Sequence, residues 1–170
     1  DELYRDWIAV LNHDGGTVPD GFVLTIERPR PNDIVYYTTD GTDPVGFDGE
    51  LRPGAVRASE TESLVLTEST KIRSRVQRVS LFNPAEDWGA LLETLYYVDS
   101  VRPSTDELVI SAIHYRPSAP MEDELRAGFT SRSDFEYLAI ENRSEKKLIL
   151  DGVRIAGGIQ FEFPELTELG

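Results

Sequence analysis

Cysteine is absent from this sequence. That excludes disulfides, thiolate catalysis and Cys-ligated zinc, while leaving the compartment open. Histidine occurs twice, at His13 and His114; His114 could serve as a ligand or a base, but a lone histidine without a nearby nucleophile is more often a packing residue. No apolar run approaches the ~18 residues that mark a membrane-spanning helix. Basic residues are the scarcer charge, 17 against 31 acids, for a net charge of −14. Residues 1–99 carry 18 acids and 9 bases, and residues 100–170 carry 13 and 8. Neither half has the basic footprint of a nucleic-acid binder, and attraction to an anionic membrane surface is disfavoured for the same reason. No Gly-x-Ser-x-Gly elbow, P-loop or dinucleotide fingerprint is present. The start, Asp1-Glu2-Leu3-Tyr4, has no signal-peptide pattern and reads as an internal cut from a longer protein.

What is present is β-structure. Hydrophobic residues are only 39% of the 170, but aromatic and β-branched residues are clustered in runs that can bury a core. The spacing of Leu3, Trp7, Ile8 and Leu11 suits a short amphipathic helix or an extended lead-in over residues 1–12. Val23, Thr25 and Glu27 alternate with Phe22, Leu24 and Ile26 as a half-buried strand. Pro29–Asp33 is a turn, and Ile34–Thr39 a second strand that runs into Asp40-Gly41, a pair suited to a tight hairpin turn. Pro44 then stops the ladder, having no N–H to donate. Residues 42–60, rich in Gly, Pro and acids, read as a long surface loop. Leu64–Leu66, Lys71–Val79 and Leu91–Val98 read as strands, with Ile72 and Val76 facing one way.

After a short proline-broken linker at 100–106, Leu108–Tyr115 reads as a buried strand. Pro117–Glu124 reads as a loop and Phe135–Asn142 as the next strand. Leu148-Ile149-Leu150 leads into a turn at Asp151-Gly152, followed by Val153–Ile155 and Ile159–Pro164.

Two resemblances follow these blocks. Gly15-Gly16, Val23–Ile26, Val35–Pro44, Lys71–Val76 and Trp88–Val98 fall in the order of the chitobiase/β-hexosaminidase C-terminal domain, whose signature is "IYYT-DG-DP". The match covers about residues 13–99. Residues 107–164, through LVISAIHYRP, FEYLAIENRS and LILDGVRIAGGIQFEFP, resemble the opening of the lamin-tail domain. Ala112 and Val153 depart from that pattern, and a complete domain of this type has further strands after Pro164. Together the resemblances imply an all-β chain of two consecutive immunoglobulin-like sandwiches, the second (107–170) partial. They also imply an accessory or spacer segment of a large exported bacterial protein, extracellular or on the cell surface, serving adhesion or domain presentation. Its partners would be other domains of the same polypeptide, with an exposed sheet edge inviting dimerisation.

Several residues could carry chemistry. Asp40, Asp43, Asp48 and Glu50 fall within eleven residues of a Gly-rich stretch and form the best calcium candidate. Asp40 and Asp43 are equally readable as turn residues, which is the preferred reading. Lys71, Arg73 and Arg75 alternate on one strand face with Arg78 nearby. They could dock an acidic polysaccharide, or pair across strands with Glu62 or Glu68. Tyr36, Tyr96, Tyr97, Trp7 and Trp88 could stack on sugars, although half of such aromatics must face the core and Trp88 suits a plug at one sandwich end. The alternative functions are thus a carbohydrate-binding module for chitin-like or acidic glycan and, from the abundance of carboxylates, a glycoside hydrolase fragment. His13 reads as a turn residue and His114 as a hydrogen-bonded packing residue. No cofactor other than calcium is suggested.

Overall fold

A computed structural model describes residues 7–78 and 87–170. Leu3 of the lead-in and Val79 of the expected strand lie outside the described residues. The chain is all-β and divides into two compact units, Asp1–Ser100 and Val101–Gly170. No helix among the described residues is long and apolar enough to cross a membrane.

In the first unit the strands are β1 (Val10–Leu11), β2 (Gly16–Val18), β3 (Phe22–Glu27), β4 (Ile34–Thr38), β5 (Val56–Arg57), β6 (Thr61–Leu66), β7 (Thr70–Arg78), β8 (Asp87–Trp88) and β9 (Leu92–Val98). One sheet runs β1-β3-β6; the other runs β2-β9-β7-β4-β5, with β8 beside β7. Pairing is antiparallel except between β2 and β9. Period-two alternation decides which side chains meet. From the first sheet Leu24, Ile26 and Leu66 point inward. From the second come Val35, Tyr37, Ile72, Val76, Tyr96 and Val98, and all nine join one buried cluster. Each such aliphatic side chain contributes ~1.5–3 kcal/mol when fully buried.

In the described part of the lead-in, a turn and bend at Trp7 and Ile8 lead into a short strand. Val10 and Leu11 pair with Glu27 and Ile26. Asn12 then fastens the strand, donating from Nδ2 to the Val23 carbonyl at 3.0 Å and accepting the Thr25 amide at 2.8 Å.

The 42–60 stretch is more ordered than the expected loop. Val45 bridges Leu51, and β5 pairs with β4 at Tyr36↔Arg57 and Tyr37↔Val56. The Asp40-Gly41 turn therefore does not close a two-residue hairpin. Asp40 Oδ1 instead accepts the Thr42 amide and hydroxyl at 2.9 and 2.6 Å, and Gly41 supplies a φ of 76° that a side chain would strain.

The second unit begins within β10 (Ser100–Val101) and holds β11 (Leu108–His114), β12 (Tyr137–Asn142), β13 (Lys147–Ile149), β14 (Arg154–Ile155), β15 (Phe161–Glu162) and β16 (Glu168–Leu169). They form the sets β10-β13-β16, β11-β12 and β14-β15. Leu148, Ile149 and Leu150 are buried in succession. β11 departs from expectation: it is a strand, but Ser111 to His114 are exposed, with Ile113 at 69%. Among the described residues its one pairing partner is β12, across a bulge between Ile110 and Ala112. A buried strand needs cover on both faces, and a two-stranded ribbon does not supply it. The expected Pro117–Glu124 loop ends in a short helix, α1 (Glu122–Arg126). Its start is fastened by the Glu124 carboxylate accepting the Met121 amide at 2.7 Å.

Tyr96 joins core and lead-in. Its ring is fully buried, and its hydroxyl donates to the His13 carbonyl at 2.6 Å. Burial, helped by the negative charge of Asp14, pushes the phenol up to about 12. Tyr96→Phe leaves that carbonyl without its donor and should cost ~1–3 kcal/mol. Urea unfolding should show a lower midpoint at unchanged slope.

Candidate functional site

Three of the sequence-predicted residues, Asp43, Arg75 and Trp88, meet at one recess of the first unit, and Tyr36 supports it from beside Trp88. Arg75 lies on the outward face of β7, because Ser74 and Val76 turn inward. Its Nε and Nη2 donate to the two carboxylate oxygens of Asp43 at 2.8 and 2.7 Å, and its Nη1 donates to the Gly89 carbonyl at 2.8 Å. The planar guanidinium is suited to such a fork, whereas a lysine ammonium is not. Hydrogen bonding from Arg75, followed by the Val45 amide and the Arg75 charge, holds the Asp43 carboxyl below its usual range. Asp43 raises Arg75 in return.

Trp88 sits half-buried on β8. It meets Tyr36 edge-on with ring centroids 5.6 Å apart and donates from Nε1 to the Gly49 carbonyl at 3.0 Å. It therefore braces the 45–51 turn. Two residues passed over in the sequence complete the recess, Phe47 and Arg52. Phe47 is fully exposed. The recess encloses about 270 Å³. Asp48-Gly49 between Val45 and Leu51 is the hairpin signal that could have located this turn.

The other half of the basic stripe is occupied. Arg73 lies directly across from Glu93 in the β7–β9 register, and Lys71 reaches the same carboxylate at 2.9 Å. The cross-strand partner is thus Glu93, not Glu62 or Glu68. Glu93 is held below its usual range by Lys71 first and Arg73 second. Glu62 accepts the Ser59 amide at 2.9 Å, and the carbonyl of Glu68 accepts the Thr70 hydroxyl at 2.8 Å. The Arg78 guanidinium covers the Trp7 ring at 3.5 Å. Tyr96 and Tyr97 are buried and closed to a ligand.

The four candidate calcium ligands do not converge. Asp40 is bound to Thr42 and Asp43 to Arg75, while Asp48 accepts the Glu50 amide at 3.1 Å. Among the described residues no group of three or more His, Asp or Glu side chains is placed to hold a metal ion. The reason is local: an acid two residues before a free N–H closes a turn onto itself.

Among the described residues, neither histidine has a Ser or Thr hydroxyl as its partner. His13 Nδ1 accepts the Gly15 amide at 3.3 Å, and its ring packs edge-on against Phe22. His114 is exposed, with Nδ1 3.1 Å from the Phe135 carbonyl and its ring beside Tyr137. A larger recess, about 570 Å³, lies by Arg28, Arg57 and Asp33. There Arg28 is ion-paired with Glu60 at 2.8 Å.

A carboxyl lowered on folding stabilises the native state fully above its unfolded value near ~3.9, and that contribution disappears as pH falls through the folded value. Asp43→Asn should therefore lower stability by ~1.5–3 kcal/mol at pH 7, the range for hydrogen bonds to charged groups. The gap from the parent protein should narrow below pH ~4. Paired denaturant titrations across pH 2–7 measure it, and a gap independent of pH would reject the ion pair as its source.

Comparison with protein-family models, with curated proteins and with solved structures returned no match.

Proposed function

We propose that this chain is a non-catalytic accessory segment that spaces or presents neighbouring domains of a larger exported bacterial polypeptide. The observation that carries this reading is the use to which the charged groups of the first unit are put. Asp43 is held by Arg75, and Glu93 by Lys71 and Arg73. A glycoside hydrolase needs one carboxyl raised enough to protonate a leaving group. Among the described residues, the carboxyls with a resolved displacement, Asp40, Asp43, Glu93 and Glu107, all move the opposite way. Each is held ionised by hydrogen bonds that fasten a turn or a strand pair. The two motif resemblances support the same reading, since the modules they point to accompany enzymes and surface proteins.

Two measurements test this. With chromogenic glycosides between pH 4 and 8, the protein should release no more chromophore than buffer does. Turnover that disappears on replacing a single Asp or Glu would establish a hydrolase instead. Within the parent polypeptide, exchanging these residues for an unrelated β-module of equal span should preserve the neighbours' function. Loss of that function on exchange would overturn the spacer reading.

A further inference from the structure

The turn above Trp88 is built to present an aromatic ring. Gly46 donates to the Glu50 carbonyl at 2.8 Å, Gly49 to the Gly46 carbonyl at 3.0 Å and Arg52 to the Pro44 carbonyl at 2.9 Å. Gly49, at a φ of 83°, takes the left-handed position that closes a three-residue hairpin loop. Trp88 holds the same residue from below, through its bond to the Gly49 carbonyl. Phe47 thus stands on a fastened turn, with its ring wholly in water. A solvated ring on a floppy loop would lose much of any binding energy to ordering; on a fixed turn that cost has already been met.

Around this ring the recess combines an aromatic floor with planar polar groups. Trp88, the Arg75–Asp43 fork and Arg52 line it together with Phe47. Arg52 is exposed and has no ion-pair or hydrogen-bonding partner for its side chain among the described residues. A pyranose ring needs this combination. Its C–H face packs on an aromatic ring, while adjacent hydroxyls bond to a planar guanidinium or carboxylate. The volume, about 270 Å³, falls below the ~300–1,000 Å³ of pockets that take drug-sized ligands, and suits a single ring.

We propose that the recess formed by Phe47, Trp88, Arg52 and the Arg75–Asp43 pair binds one neutral sugar ring of a glycan. The overall charge favours a neutral ligand, even though Arg52 adds one uncompensated base to the recess. The chain carries −14, and within the recess the Asp43 carboxylate already occupies the Arg75 fork. Asp48 and Glu50 follow Phe47 on the same turn. Long-range repulsion therefore opposes both an anionic polysaccharide and a second copy of this chain. The site differs from the basic stripe expected from the sequence, since Lys71 and Arg73 are committed to Glu93.

The test is titration of the protein with cellotriose, xylotriose and the N-acetylglucosamine trimer, followed through the Trp88 indole N–H resonance by NMR and by calorimetry. The galacturonic acid trimer serves as the anionic comparison. At least one neutral trisaccharide should bind and move the indole resonance, and the anionic one should bind more weakly. Phe47→Ala should weaken binding about tenfold, equivalent to ~1.4 kcal/mol, and Arg52→Gln severalfold. Neither should shift the thermal midpoint, because both side chains are exposed. The proposal is overturned if no neutral trisaccharide moves the indole resonance at concentrations well above ~1 mM. Binding that survives intact in Phe47→Ala would overturn it too. So would preferential binding of the anionic sugar, or self-association lost in Phe47→Ala without sugar binding.

Discussion

Strand β7 must face an apolar core on one side and water on the other, and strict alternation along Thr70–Arg78 is what lets it do so. Ile72, Ser74 and Val76 are each 1% exposed, while Lys71, Arg73 and Arg75 point outward. A slip of one residue would drive three bases into the core, each at a cost of several kcal/mol unless neutralised. The outer face fixes the same register by attraction, because Arg73 is directly opposite Glu93 only when Ile72 faces Thr94. Core and surface thus specify a single pairing, and β4 and β9 inherit their positions from it.

The Arg75 guanidinium extends that control beyond the sheet. It is anchored to β7, yet its donors reach Asp43 in the turn after β4 and the Gly89 carbonyl just past β8. Asp43 also accepts the Val45 amide at 3.0 Å. The chain therefore enters the 45–51 hairpin at a fixed point, with Pro44 and Val45 buried beneath it. Phe47 is rigid because the turn carrying it is fastened at its base by this charge pair and at its tip by Trp88.

Elements whose cause is local could be read from the residues. Alternation in Phe22–Glu27, Ile34–Thr38 and Thr70–Arg78 is written in neighbouring side chains, and so is the turn chemistry at Asp40-Gly41. Elements whose cause is distant could not. Whether the apolar run at Leu108–His114 is covered depends on what packs against it, and periodicity cannot report that. The partner of Arg73 sits twenty residues away in sequence, at a register fixed only after β7 and β9 pair. Phe47 was hidden for another reason. Its hairpin lies in a stretch so rich in Gly, Pro and acid that composition masked the short apolar pair, Val45 and Leu51, that closes it.

The excess of acid has a structural explanation in the turns. Asp40 accepts from Thr42, Asp48 from Glu50 and Asp99 from Asp20. Glu62 accepts from Ser59, Glu107 from Ser104 and Glu124 from Met121. Asp134 accepts from both Thr130 and Ser131. Each bond satisfies a backbone N–H left unpaired at a turn or at the start of a helix, and a carboxylate is the strongest side-chain acceptor for it. A fold assembled from short strands has many reversals, so it consumes many acids. Bases, by contrast, are needed mainly where carboxylates must be neutralised, as on the outer face of β7. Part of the charge of −14 is thus the record of how turns and helix starts are closed. It biases what the surface attracts without itself forming a binding site.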